Sequence, residues 1–372
     1  MRGIVAAHAI CITLLIAAVG CGDEDDEPGG VTTTAGGVGG TSSGTGGSPA
    51  GGGSTATGSG TAGQGGQSVG GSGATSDCPN EGYLEPNVGV NVGVPNGVQL
   101  STVTANDGEF HRITTDGEVI DGKLIEACVV IEADDVVIRN SHIRCTMDQM
   151  NEGAYVGAID VNAPAQNALI EHNTIECYGA TDDREWCRYG INGPNFTARF
   201  NDIFGGTDGV VPWNDAIFEC NYVHHLPRRP VPYQPDGYSH NDGVQGMSGY
   251  AEIRGNYFEG NTQDNGQAIF FQTESVAHHP VAAIIENNYL AGFWKNIIQC
   301  NRKSGMLAVD CQVDFNVIRD EDVNLQTNGQ RWLTIGIQNG ATGSAACNTW
   351  GDGSFIPDGV VVGVTHDTSS CP

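Results

Sequence analysis

Basic residues are what this chain has least of. Its 372 residues include 16 Lys+Arg against 44 Asp+Glu, a formal charge of −28 at neutral pH. Such a chain has no electrostatic hold on a phosphate backbone, which excludes nucleic acid as a partner held by charge. An acidic surface is compatible with solubility and with hard cations such as Ca²⁺. No CxxC pair occurs among the 12 cysteines, which argues against a zinc site. No 3.6-residue apolar period runs through the central segments, so helices have no claim on them. The apolar stretch near the start, Ile10 to Val19, is too short to span a bilayer as a helix.

What the chain does have is one phrase written repeatedly. Thr207-Asp208-Gly209-Val210-Val211 is followed by a turn and by Ala216-Ile217-Phe218-Glu219-Cys220-Asn221-Tyr222-Val223. Asn241-Asp242-Gly243-Val244-Gln245 is followed by a turn and by Ala251-Glu252-Ile253-Arg254-Gly255-Asn256-Tyr257-Phe258. Each copy is a short β-type run, a turn, a second run, an Asn and a third run. Further copies lie upstream at Gly157 to Ile175 and Gly190 to Ile203, and downstream at Ala268 to Leu290 and Asn296 to Ile318. A degenerate copy is Cys128 to Ile143. The matching polar positions are Ser141, Asn173, Asn201, Asn221, Asn256, Asn288 and Asn316, each two residues before an apolar one. Short runs repeated every 20 to 50 residues are the signature of a solenoid. A β-sandwich does not repeat a three-run phrase with one Asn in one place.

This pattern resembles the right-handed parallel β-helix of the pectate-lyase-like superfamily, over roughly Val119 to Gln338. The resemblance implies an all-β solenoid of about seven to eight coils with capped ends. It also implies an Asn column that hydrogen-bonds from coil to coil at a tight bend. The expected organisation is a signal peptide over 1–20, a linker over 21–76, a cap with an incomplete first coil over 77–126, the β-helix over 127–338 and a second cap over 339–372.

Arg2 and the apolar stretch after it read as a secretory signal. Ala18-Val19-Gly20-Cys21 resembles a bacterial lipobox, with Ala18 in place of the usual Leu. It implies cleavage before Cys21 and lipid attachment to it, hence an exported protein anchored to a bacterial outer membrane or cell surface rather than spanning it. The Gly/Ser/Thr-rich run to Ser76 buries no core and acts as a tether with a reach of roughly 40 Å. Setting aside Cys11 and Cys21, ten cysteines remain, an even number that suits disulfides in an oxidising compartment. Cys300 and Cys311 flank one turn and are expected to pair; Cys145 with Cys177 competes with Cys177 with Cys187.

In the resembled superfamily the substrate groove is the first-strand face, walled by long loops. Here those loops are Thr146–Tyr155, Gly179–Arg188, His224–Asn241, Gly260–Gly266 and Asp320–Gln330. The column before the first strands reads Tyr189, Asp208, Asp242, Gln267 and Lys295. Asp208 and Asp242 are expected near 5 Å apart on stacked coils, where they share a proton or a bridging Ca²⁺. His240 is placed to shuttle a proton. The outward column continues with Asp160, Asn192, Val211, Gln245 and Phe270. Arg184, Arg188, Arg228, Arg229 and Lys295 on the loops suit carboxylate recognition, and Trp186, Trp213, Tyr233, Tyr238 and Trp294 suit stacking on sugars. Lyases of the resembled fold use Arg or Lys as base with Ca²⁺, a role open to Lys295 or Arg188. Hydrolases use clustered Asp, matched in type by Asp208 and Asp242, but their Gly-His-Gly and Arg-Ile-Lys signatures are absent. Epimerases use Tyr, His and Asp, loosely echoed by Tyr238, His240 and Asp242. The expected function is binding and cleavage of an acidic, uronate-containing polysaccharide by a monomer, with Ca²⁺ or no cofactor. The rival is a non-catalytic glycan-binding or adhesin module.

Overall fold

The computed structural model describes residues 78–79, 82–108, 110–146, 157–178, 187–228, 239–260, 266–273, 279–293, 297–319 and 334–372. Cys21 and the expected signal and linker lie outside them. Among the described residues there are thirty strands and one turn of 3-10 helix at Asp358–Val360. The strands form three parallel sheets of ten, each sheet taking every third strand in chain order. The first sheet runs from Phe110–Ile113 to Val361–Val362, the second from Val119–Asp121 to His366–Asp367, the third from Ser101–Val103 to Thr349–Trp350. The chain is thus a right-handed parallel β-helix, the sense that a right-twisted strand imposes on a parallel crossover.

There are about ten coils rather than seven to eight. The extra ones come from the segments expected as caps. Ser101–Val103 pairs with Lys123–Ile125, and Thr342–Ala346 and Thr349–Trp350 extend the far end. These strands are short, and several are polar; an exposed sheet edge recruits them by backbone pairing where side-chain propensity is weak. Residues 82–100 do not cover the open end either. They run lengthwise along the outside, through Leu84 N–H to Gly255 O at 2.9 Å, Gly93 N–H to Phe200 O at 2.9 Å and Ser101 N–H to Gly122 O at 3.0 Å. A Cys78–Cys220 disulfide pins the start of this strap to the middle of the solenoid.

Register repeats one residue type at one place. The inward column of the third sheet is Ile143, Ile175, Ile203, Val223, Phe258, Leu290, Ile318 and Trp350, all buried. Each such side chain contributes roughly 1.5–3 kcal/mol when fully buried. On the outer face of the second sheet, charges of mostly alternating sign stack as Asp121, Arg139, Glu171, Arg199, Glu219, Arg254 and Glu286. Arg139 pairs with Asp121 at 2.9 Å and Arg199 with Glu171 at 2.8 Å. Surface pairs of this kind add little stability, but a one-residue slip would turn every one of these charges to the inner face.

The bend between second and third strands repeats most strictly. Its first residue takes positive φ, as at Asn140, His172, Phe200, Cys220, Gly255, Asn287, Phe315 and Cys347. The next is the ladder residue. Asn256 shows the pattern: its Nδ2 donates to Phe218 O at 2.8 Å and to Asn288 Oδ1 at 3.0 Å, while its Oδ1 accepts the Asn221 N–H at 2.8 Å. The ladder runs past Asn316 to Asn348, whose N–H donates to His366 Nε2 at 2.9 Å. His366 ends it, turning Nδ1 to Ile356 O at 2.8 Å.

The described cysteines form five disulfides. Cys300–Cys311 pairs as expected, and Cys177–Cys187 prevails over Cys145–Cys177. Cys145 and Cys177 are indeed register neighbours, but Cys145 bonds Cys128. Cys347–Cys371 closes the C-terminal end.

Asn256→Ala strands the Asn221 N–H and the Phe218 carbonyl inside the bend. The expected loss is on the order of 1–3 kcal/mol for each orphaned group, read from chemical denaturation of the variant. An unchanged midpoint would remove the ladder from the forces that hold the coils in register.

Candidate functional site

The register places Tyr189, Asp208 and Asp242 in one column, as expected: Tyr189 pairs with Asp208, and Val210 with Val244. The chemistry of that column is different. Asp208 Oδ1 accepts the Asp242 N–H at 3.0 Å, and Asp242 Oδ1 accepts the Gln267 N–H at 2.7 Å. Each carboxylate ties its own coil to the next. The two residues are 2% and 0% exposed. Burial raises the pKa of Asp208, against the charge of Arg188 and the Asp242 N–H. The glycines beside them serve the same packing: a Cβ on Gly243 would lie 2.6 Å from the Phe258 ring. Ca²⁺ takes six to eight oxygens, and one oxygen of each of these carboxylates also accepts a backbone N–H, so the pair by itself does not complete a Ca²⁺ shell. Among the described residues no three His, Cys, Asp or Glu are grouped to hold a metal ion.

The other expected residues divide into three sets. His240, Arg188 and Arg228 are half-buried on the loop side, with Arg188 lying 5.5 Å over the Tyr189 ring. Gln245 is at the floor, 8% exposed. Arg184, Arg229, Tyr238, Trp294 and Lys295, with Trp186 and Tyr233, lie outside the described residues.

The outward column of the first sheet carries more than the sequence suggested. It runs Asp160, Asn192, Val211, Gln245, Phe270 and Gln299. At one end Trp213 Nε1 donates to Asn192 Oδ1 at 2.7 Å, and Asn192 Nδ2 donates to Asp160 Oδ1 at 2.8 Å. The Gly157 N–H reaches the same Asp160 oxygen at 3.0 Å. At the other end Gln267 Nε2 donates to Gln299 Oε1 at 2.8 Å. A parallel row links Asn339 to Asn301 at 2.7 Å and Asn301 to Gln272 at 3.0 Å. Apart from exposed Asn339 and buried Gln245, these amides are half-buried.

The result is a strip of side-chain amides with Trp213 and Phe270 set into it. Each amide both donates and accepts, and none carries charge. On a chain with net charge −28 this near-neutral face stands out. Gln272, Gln299 and Asn301 lie in recognised repeats, at alternate positions after Ile269 and Ile298; that period-2 placement was the signal for extending the column past Phe270.

Asp160 is the titratable member of the strip. Burial lifts its carboxyl to about 7, against the opposing bonds from Asn192 and Gly157. One side of the strip thus holds a carboxylic acid that keeps its proton near neutral pH, a proton donor in chemical terms.

No family model, curated protein or solved structure matches this chain. The β-helix architecture alone does not select a reaction.

The raised Asp160 pKa makes a signed prediction. The unfolded carboxyl titrates near 3.9, so the folded state binds the proton more tightly. Its stabilising effect is complete below about pH 4 and is lost as pH rises to about 7, at a slope approaching about 1.4 kcal/mol per unit. Asp160→Asn keeps a neutral side chain of the same shape. Denaturation at a series of pH values should show the variant gaining on the wild type across that window, and parallel curves would contradict the raised pKa.

Proposed function

We propose that this protein is an exported, lipid-anchored β-helix that binds a polysaccharide along its first-strand face. The observation that carries this reading is the amide strip from Asn192 to Asn339 with its inset Trp213 and Phe270. Hydroxyls need partners that accept and donate at once, and a row of neutral amides offers both at every step. A parallel sheet repeats its rows about every 4.8 Å, so a chain lying along the solenoid axis meets the same chemistry coil after coil. Arg188 and Arg228 on the loop side support a preference for uronate-containing chains, since guanidinium matches carboxylate in two-point geometry. Membership of the pectate-lyase-like superfamily belongs to the same proposal. So does attachment through Cys21 with the Gly/Ser/Thr-rich tether between membrane and solenoid.

Cleavage is the second reading, and Asp160 favours it. A carboxylic acid that holds its proton near neutral pH suits protonation of a leaving oxygen. Asn192 and Trp213 fix its orientation. Asp208 and Asp242 support the coils in this reading and are not assigned a chemical step.

The test is a panel of neutral and uronate polysaccharides against the purified protein, with and without added Ca²⁺. Binding to a uronate polymer is expected. Trp213→Ala or Gln299→Ala should weaken it by roughly tenfold, the equivalent of about 1.4 kcal/mol, with little change in melting temperature. A rise in absorbance near 235 nm identifies a lyase, new reducing ends without it a hydrolase, and binding without either a glycan-binding module. No binding across the panel would overturn the proposal.

A further inference from the structure

A cleft lies where the third strands Tyr222–His224, Tyr257–Glu259 and Tyr289–Ala291 end. It has a volume of about 370 Å³ and is lined by His225, Leu226, Pro227, Glu259, Gly260, Gly292 and Arg319. That volume falls within the range of small-ligand sites, about 300–1,000 Å³. Part of its lining is bare backbone: a Cβ on Gly292 would sit 2.4 Å from Gly260 O.

Behind this cleft is a directed hydrogen-bond chain. Asp202, whose side chain is 6% exposed, meets His224 Nε2 at 2.8 Å. His224 is held between two rings, stacked on Tyr222 at 4.1 Å and tilted against Phe204 at 5.1 Å. Its Nδ1 faces Nδ1 of His225 in a close contact. The order of donors follows from the carboxylate. Asp202 accepts, so His224 carries a proton on Nε2, and with both rings neutral it presents a lone pair at Nδ1. In that arrangement His225 donates from Nδ1, which leaves its own Nε2 as an acceptor. His225 is exposed and held at a φ of 49°, with its carbonyl accepting the Gly205 N–H at 3.1 Å. Glu259 is the register neighbour of His224, and its Oε2 accepts the Tyr222 hydroxyl at 2.5 Å, which fixes that carboxylate as an acceptor.

We infer that this cleft is a second binding site, specific for one or two sugar residues, with His225 Nε2 and Glu259 as paired acceptors for ligand hydroxyls. Two fixed acceptors select a ligand that donates at two points, as adjacent ring hydroxyls do. The neighbouring aromatic rings do not supply a stacking platform. Tyr257 and Tyr289 stack on each other at 4.6 Å, and Tyr222 on His224, so their faces are turned to one another. Recognition here rests on hydrogen bonds at the cleft, unlike the first-strand face with its inset Trp213. The site is independent of the polysaccharide reading: it needs neither the amide strip nor a polymer.

The test uses nuclear magnetic resonance on the full chain with labelled histidine and backbone amides. Long-range nitrogen–proton correlation should show His225 as the Nδ1–H tautomer and His224 as the Nε2–H tautomer. Methyl glucoside, methyl galacturonide, N-acetylglucosamine and their disaccharides are then titrated in. At least one should move His225 Nε2 together with the Gly260 and Gly292 amides. His225→Asn tolerates the positive φ and should weaken that response at least tenfold, as should Glu259→Gln. Trp213→Ala should leave it intact, which separates this site from the first-strand face. An Nε2–H tautomer at His225, silence across the sugars, a response to ammonium ligands alone, or loss of the response in Trp213→Ala would each overturn the assignment.

Discussion

Every coil of this protein depends on satisfying the backbone of the coil beside it at a sharp bend. A chain that bends sharply three times per coil buries amides that no strand can pair. The Asn ladder answers this with one side chain per coil: Oδ1 takes the ladder N–H of one neighbour, and Nδ2 gives to that neighbour's last strand carbonyl. The geometry works only if the residue before each Asn accepts positive φ. That place is held by Asn, His, Phe, Cys and Gly along the column, so the cost of positive φ at the non-glycine positions is borne repeatedly. The tie is directional as well. It must be started by Ser141 and ended by a group that can accept but need not continue, and His366 fills that place.

The same logic accounts for side chains that look functional. Asp208 and Asp242 stand at the bend before the first strands and do there what Asn does at the other bend, each accepting an N–H from the next coil. The stacked arginines tell a related story. With few basic residues in the chain, Arg139, Arg199 and Arg254 are committed to a column of acidic partners on the second sheet. Three of the chain's 16 basic residues thus hold register on the second sheet, and amides line much of the first-strand face.

Fold and site were legible to different degrees for this reason. The Asn column could be read because its role puts Asn at one place in six successive coils, from Asn173 to Asn316. The outermost coils could not: Ser101–Val103 and Thr342–Ala346 have no such requirement, only a neighbouring edge to pair with. Nor could Cys78–Cys220, which joins residues 142 apart through a strap whose path is set by tertiary contacts. The placement of Asp208 over Asp242 was legible from the repeat, but their burial was not, because an Asp-Gly pair reads alike whether it closes a coil or faces a groove. Asp160 was placed correctly in the outward column. Its raised pKa depends on burial and on Asn192, which a period-2 pattern does not reveal.

Coil stacking also bears on what the first-strand face is for. The inward columns and the two bends already set the register, so outward residues of that sheet are under little structural constraint. Hydrogen bonds between half-exposed amides compete with water and contribute little net stability, on the order of 1 kcal/mol or less each. β-Branched or charged residues would serve a solvated strand as well or better by propensity and by solubility. Yet Asn192, Gln245, Gln267, Gln272, Gln299, Asn301 and Asn339 occupy or flank this face, with Asp160 and Arg112 as the charged members of its outward column. Folding alone does not call for that choice. The proposed ligand, one that presents hydroxyls at regular intervals along the solenoid axis, would call for it.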